Sequence, residues 1–399
     1  RPAIVWYDGR AEAEAEELLA AVDLADWYRR TGMVLDAHYL APMYAWVARH
    51  EPELLVREHR ICSAKDALVH TLTGAWATDP STASGYGVYA PLQGSWDVAL
   101  CTLAGIAPDR LPRVAEPWSV VGTLTDDWRA TGLPAGLPVI TGAGDALTGV
   151  FGAGAAAPHT LAIINGTSSS LVVSCDAPLL DPAHRFLLTP HAVPGLWGLE
   201  MDLLATGSAL RWLSGILSAS PDADIFARAA SASPGAHGLI AVPYLAGGEQ
   251  GALWDAHAPA AFVGLTLSHK PQDLARALLE GIVFEMRRCL QVWEQAGVRV
   301  DEVVVSGGFD HRFFAPLAAA VLDRPVRVAP GRTGSALGAA LLAGLGSGAW
   351  DVETVTALAG RYAGERIKPS PDESARYGEL YMRYERTSSI LRAHGGSVA

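Results

Sequence analysis

Pro138-Val139-Ile140-Thr141-Gly142-Ala143-Gly144-Asp145 is an apolar run that enters a glycine-rich turn and stops on a carboxylate. The small residues of Ala146–Gly154 follow at once, so the stretch reads as strand, tight turn and helix. Two more turns share the layout. Leu161–Asn165 leads into Asn165-Gly166-Thr167-Ser168, and Glu302–Val305 leads into Ser306-Gly307-Gly308. Glycine lets backbone N–H groups approach an anion closely, and a helix starting just after adds its positive end. One such turn is explained by chain geometry alone, but three in one layout point to a nucleotide.

Outward from these turns the chain keeps an α/β rhythm. Before them, helical spacing predicts helices over Glu12–Leu24, Pro42–His50 and Lys65–Leu72, and Ala3–Tyr7 reads as a strand. After them, Ser170–Val173 and Val326–Val328 read as strands, and Phe313–Leu322 and Gly334–Leu345 as helices. Leu274, Leu278, Ile282, Met286 and Leu290 recur every fourth residue, with Glu280, Arg287 and Arg288 off that line. Glu373–Arg392 closes the chain as a polar-faced helix. The change of pattern after residue 154 puts a domain boundary near 155, dividing the chain into 1–155 and 156–399.

A chain of 399 residues, half of them hydrophobic, suits two buried cores. No apolar run reaches the roughly 20 residues that span a bilayer, and the start lacks the layout of a secretory signal. A cytoplasmic protein is expected. With 30 Lys+Arg against 42 Asp+Glu the net charge is −12, which argues against nucleic acid and anionic membranes as partners. Cys62, Cys101, Cys175 and Cys289 are scattered and read as reduced structural thiols; no side-chain metal site is assigned.

Asp145 is the most pointed residue. A carboxylate at a strand exit serves either as a general base toward a substrate hydroxyl or as a helix N-cap, and spacing does not separate the two. Gly142-x-Gly144-x-x-x-x-Gly149 misses the G-x-G-x-x-G spacing of a dinucleotide site, which leaves a nicotinamide-dependent oxidoreductase little support. Asp8, Arg10, His38, Tyr39 and Glu249 stand beside apolar runs, where a sugar contact and a structural role are both open. Trp46, Trp212 and Trp293 fall in helical stretches and are expected in cores.

Taken together, these segments resemble the FGGY carbohydrate kinases, most closely their xylulokinase-like branch. The likeness runs through Arg1–Arg10, Lys65-Asp66, Leu72-Thr73-Gly74, Thr78-Asp79, Ala83-Ser84-Gly85, Val121–Leu124 and the Gly142–Asp145 turn. It continues at Pro243-Tyr244-Leu245, Trp254-Asp255, Ala260–Gly281, Ser306-Gly307-Gly308 and Ala336–Ala340, covering the chain to about residue 345. The resemblance implies two domains of the actin-like ATPase (ribonuclease H-like) fold around a central cleft, with the sugar deep in it. It implies transfer of phosphate from ATP, with Mg²⁺, to a small sugar or polyol, and a homodimer is the usual assembly. Asp145 aligns with the catalytic base. Asp8 and Arg10 match a strand near the sugar pocket, and Gly166, Thr167, Gly207 and Gly308 match the nucleotide side.

The chain departs from that pattern in several places. The family opens with a strand and a Gly-x-Asp-x-Gly-Thr phosphate turn that has no counterpart here, so the first domain reads as N-terminally incomplete. A non-catalytic remnant that binds ligand without turnover is the alternative this raises. Ala146 follows Asp145 where Asn is common beside the sugar, Met43 stands where the first signature has Lys, and Leu278 is large for its place in the second. Phe309-Asp310-His311-Arg312 follows Gly308 where small and polar residues are usual near adenine.

Overall fold

The computed structural model describes residues 3–5, 8–56, 59–217, 224–329, 334–361 and 364–395. The chain divides into two compact units that interleave in sequence. The first takes Arg1–Gly152, Cys175–Leu199 and Ser335–Ala359; the second takes Ala153–Ser174, Glu200–Gly334 and Gly360–Ala399.

In the first unit the predicted Glu12–Leu24 helix is shorter, Glu12–Ala21, and a second helix, Leu24–Thr31, follows. Asp23 makes the break: its carboxylate accepts the Asp26 N–H at 2.8 Å and caps the new helix. Helices Leu40–His50 and Ala64–Thr73 stand where spacing placed them. Leu18, Trp27, Leu35, Tyr86, Leu100 and Cys101 form the core between them. Buried Tyr28 donates its hydroxyl to the Phe186 carbonyl at 2.7 Å, tying the returning segment to the opening helices. Ala3–Val5 are not a strand, because no described segment pairs with them; Trp6 and Tyr7 lie outside the described residues.

Pro138–Ile140 is a short strand antiparallel to Val120–Thr123, and it delivers the turn and then the helix Asp145–Gly152. The Gly334–Gly346 helix packs against that helix at very short range. A Cβ on Gly338 would stand under 3.0 Å from the Thr148 carbonyl, so only glycine allows the approach.

The second unit is built on a mixed sheet. In it Arg366–Ile367, Val326–Val328, Glu302–Gly307, Thr160–Asn165 and Ser169–Cys175 lie side by side in that order. Glu302–Gly307 is parallel to both of its neighbours, and Thr160–Asn165 is antiparallel to Ser169–Cys175. A parallel central pair is buried on both faces, which is why Leu161-Ala162-Ile163 and Val303-Val304-Val305 are uninterrupted apolar runs. Helix Pro271–Gln295 extends beyond the expected line at both ends, and its polar residues Glu280 and Arg288 are buried, not solvent-facing. Trp293 is fully buried and Trp46 half-buried, whereas Trp212 is 46% exposed. The helix Gly207–Leu217 turns Leu210 and Leu213 inward and leaves Trp212 on its outer face. Among the described residues no helix is long and apolar enough to cross a membrane.

Candidate active site

Asp145 opens the Asp145–Gly152 helix with its carboxylate exposed. Oδ1 accepts the neighbouring Ala146 N–H at 2.9 Å, a helix-start contact that leaves the group open to solvent. Its own carbonyl is held twice, by Thr148 Oγ1 at 3.1 Å and by Ser335 Oγ at 2.8 Å. The turn before it depends on Gly142, whose φ of +74° suits glycine. Beneath this turn the sequence pairs Lys65-Asp66 and Thr78-Asp79 meet, with Lys65 Nζ 2.9 Å from Asp66 Oδ1 and 3.1 Å from Asp79 Oδ1.

Asp8 and Arg10 belong to the same unit and bond each other. Arg10 Nε and Nη2 reach the two Asp8 carboxylate oxygens at 2.8 and 2.6 Å, and the guanidinium lies 4.9 Å over Trp46. The hydrogen bond to Asp8 raises the Arg10 pKa further above its ordinary value. His38 leans on Asp36 at 3.0 Å, and the Tyr39 hydroxyl points at Met33 Sδ, 3.6 Å away.

The second unit gathers the other two glycine turns. Asn165 and Gly307 are register partners on adjacent parallel strands, so the turns leave the sheet side by side. The three glycines and the threonine singled out in this unit, Gly166, Gly207, Gly308 and Thr167, line one pocket of about 520 Å³ with Gly307 beside them. The glycines are there for different reasons. A Cβ on Gly307 would fall under 3.0 Å from the Asn165 carbonyl, and one on Gly207 equally close to that of Gly166. Packing alone demands glycine at both. Gly308 has room for a side chain, since the nearest atom to its Cβ position is 4.0 Å away. Bare backbone there is free to lie against a ligand. The Gly308 N–H itself donates to the Asn165 carbonyl at 2.8 Å.

Thr167 links the turn to the next helix: its carbonyl accepts Ser208 N–H and Ser208 Oγ, both at 3.0 Å. The helix start thus stands against the turn and adds its dipole there. Arg211 donates to Thr167 Oγ1 at 3.3 Å and brings a positive charge to the same rim. At the other side Phe226 and Phe309 sit with ring centres 5.4 Å apart and planes tilted by 56°, an apolar edge to the pocket. Neither Arg211 nor Phe226 was singled out from sequence. The i, i+4 spacing of Gly207 and Arg211 is the one signal that carried it.

Glu249 is no surface residue. It is 3% exposed, exchanges backbone hydrogen bonds with Asp255 at 2.9 Å each way, and accepts the Gly251 N–H on Oε1 at 3.0 Å.

Strand–turn–helix units on a mixed sheet, with glycine turns at the strand ends, are the architecture of the actin-like ATPase class. The chain belongs to the FGGY family of carbohydrate kinases: the family's N-terminal domain matches residues 1–152 and its C-terminal domain residues 161–347. It is 30% identical to the xylulose kinase of Escherichia coli, over 86% of this chain and 71% of that one. It is 29% identical to an autoinducer-2 kinase of Salmonella paratyphi A, over 97% and 76%. The crystal structure of xylulose kinase from Rhodospirillum rubrum superposes with a TM-score of 0.90 at 33% identity, covering 99% of this chain and 81% of that one. The protein is therefore a carbohydrate kinase that uses ATP.

Proposed function

We propose that this kinase phosphorylates a hydroxyl of a small ketose such as xylulose, or of a related polyol, with Asp145 as general base. The observation that carries the reading is the pocket in the second unit, where Gly166, Thr167, Gly207 and Gly308 converge. In this reading the glycine turns, the helix start at Gly207 and Arg211 hold the phosphates, and Phe226 and Phe309 flank the nucleotide base. Asp145, exposed at its helix start, accepts the proton of the sugar hydroxyl as that oxygen attacks the γ-phosphorus and ADP leaves. Phosphoryl transfer is mostly positioning and charge stabilisation, so a carboxylate reachable by substrate on a held turn is what the step requires. Asp8 and Arg10 are proposed on the sugar side.

Mg²⁺ is the usual companion of ATP. Among the described residues no three or more His, Cys, Asp or Glu side chains cluster to hold an ion. Those described residues form no side-chain cage for the ion. Ala146 beside the base offers no side-chain hydrogen bond to a sugar, which favours substrates recognised by other contacts.

The test is coupled ADP release with Mg²⁺-ATP and a panel of xylulose, ribulose, glycerol, erythritol and autoinducer-2. One acceptor is expected to give turnover, and Asp145→Asn to lower it by about 10²–10⁴-fold with the melting transition intact. Undiminished turnover in Asp145→Asn removes Asp145 as base.

A further inference from the structure

The turn that carries Asp145 is gripped at both ends by residues that are not candidates for touching substrate. At its start, Lys65 Nζ donates to the Thr141 carbonyl at 3.1 Å. The same ammonium pairs with Asp66 and Asp79, whose carboxylates are fully buried. At its end, the Gly144 N–H, the amide just before Asp145, donates to Ser81 Oγ at 2.8 Å. The Ser81 hydroxyl in turn donates to Asp79 Oδ2, which also accepts the Ser81 N–H at 2.9 Å.

A hydroxyl carries one proton. Ser81 uses it on Asp79, so its lone pairs face Gly144 and its role there is fixed as acceptor. Asp79 joins the two grips, Oδ1 against Lys65 and Oδ2 against Ser81. Asp66, on the other side of the ammonium, is anchored by the Tyr86 hydroxyl at 2.6 Å and by the Ser63 N–H at 3.3 Å. The two carboxylates of the frame are buried, and Lys65, partly exposed, bridges them to the turn. The turn itself is the opposite: Gly142-Ala143-Gly144 has the backbone freedom of two glycines in three residues.

We propose that Ser81 is a positioning residue for phosphoryl transfer. It acts through the Gly144 amide to fix where the Asp145 carboxylate points, with Asp79 and Lys65 as its frame. The proposal rests on the reading of Asp145 as base. Displacement of a reacting group by about an ångström costs on the order of 10²-fold in rate. Ser81→Ala is therefore expected to lower kcat roughly 10- to 100-fold. KM for ATP is expected to stay within about twofold, because the nucleotide pocket lies in the other unit. Ser81→Thr, which keeps the hydroxyl, is expected to restore most of the rate.

The decisive measurement is a double-mutant cycle in the full chain, by single-turnover transfer to the acceptor found in the ADP-release panel. If Ser81 acts through Asp145, adding Ser81→Ala to Asp145→Asn leaves the residual rate unchanged. An equal further drop in the Asp145→Asn background, or an undiminished kcat in Ser81→Ala alone, overturns the proposal. Full activity of Asp145→Asn overturns it as well, and identifies the base assignment as the part that failed. Should Ser81→Ala not fold, Ser81→Cys, which keeps the volume and is a weak acceptor, takes its place in the cycle.

Discussion

Glu249 shows what burial does to a single carboxyl group. Desolvation first, and the neighbouring Glu285 second, push it from 4.5 to about 8, against the backbone N–H groups that pull it down. The native state then holds a proton that the unfolded chain has released. Stability from this group is fully present below about pH 4.5 and is lost as pH rises through about 8. The melting temperature is expected to fall between pH 6.5 and 8.5, and the Glu249→Gln variant to show a shallower fall over that range. Equal slopes in the two proteins would relieve Glu249 of the role. At this scale sequence separates some residues and not others. Asp145 stood out because a strand, a turn and a carboxylate are local and contiguous. Glu249 stayed open between sugar contact and structural residue, since its 3% exposure is set by segments far away in the chain. Ser81 carried no signal at all: its partner Gly144 is 63 residues distant.

The Pro271–Gln295 helix was legible in its apolar line and misleading in its polar residues. Periodicity reports one buried stripe, but this helix is covered nearly all round, so its charged side chains had to find partners inside. Glu280 accepts from Arg276 at 2.7 Å and from the Tyr377 hydroxyl at 3.0 Å. Glu285 accepts the Tyr244 hydroxyl at 3.0 Å, the Tyr384 hydroxyl at 2.6 Å and Arg288 Nε at 3.2 Å. Arg288 also reaches Ser388 at 2.6 Å, so the helix is stitched by polar groups to the closing helix Pro371–Gly395. Glu285→Ala strands a buried guanidinium and is expected to cost about 3–5 kcal/mol in urea unfolding. Glu285→Gln, which keeps an acceptor, is expected to cost less. A loss below about 1 kcal/mol for Glu285→Ala would mean that Arg288 is satisfied without it.

For the molecule as a whole, the α/β class and the order of the three turns were written locally, and the interleaving of the units was not. Periodicity marks where a pattern changes; it does not say that Cys175–Leu199 and Ser335–Ala359 go back to the first unit. Those returns matter to stability. Without them the buried Tyr28 hydroxyl loses the Phe186 carbonyl, and the Asp145 helix loses the helix that meets it at Gly338. A fragment of residues 1–155 is accordingly expected to lack a cooperative melting transition and to be digested rapidly by protease. A sharp transition in that fragment would show that the two later segments are dispensable. The interleaving also bears on recombination between related genes. Six alternating segments leave no single crossover that exchanges one unit intact, so a chimaera with one parent's first unit and the other's second needs five junctions. Any hybrid with fewer junctions mixes the two parents within a unit.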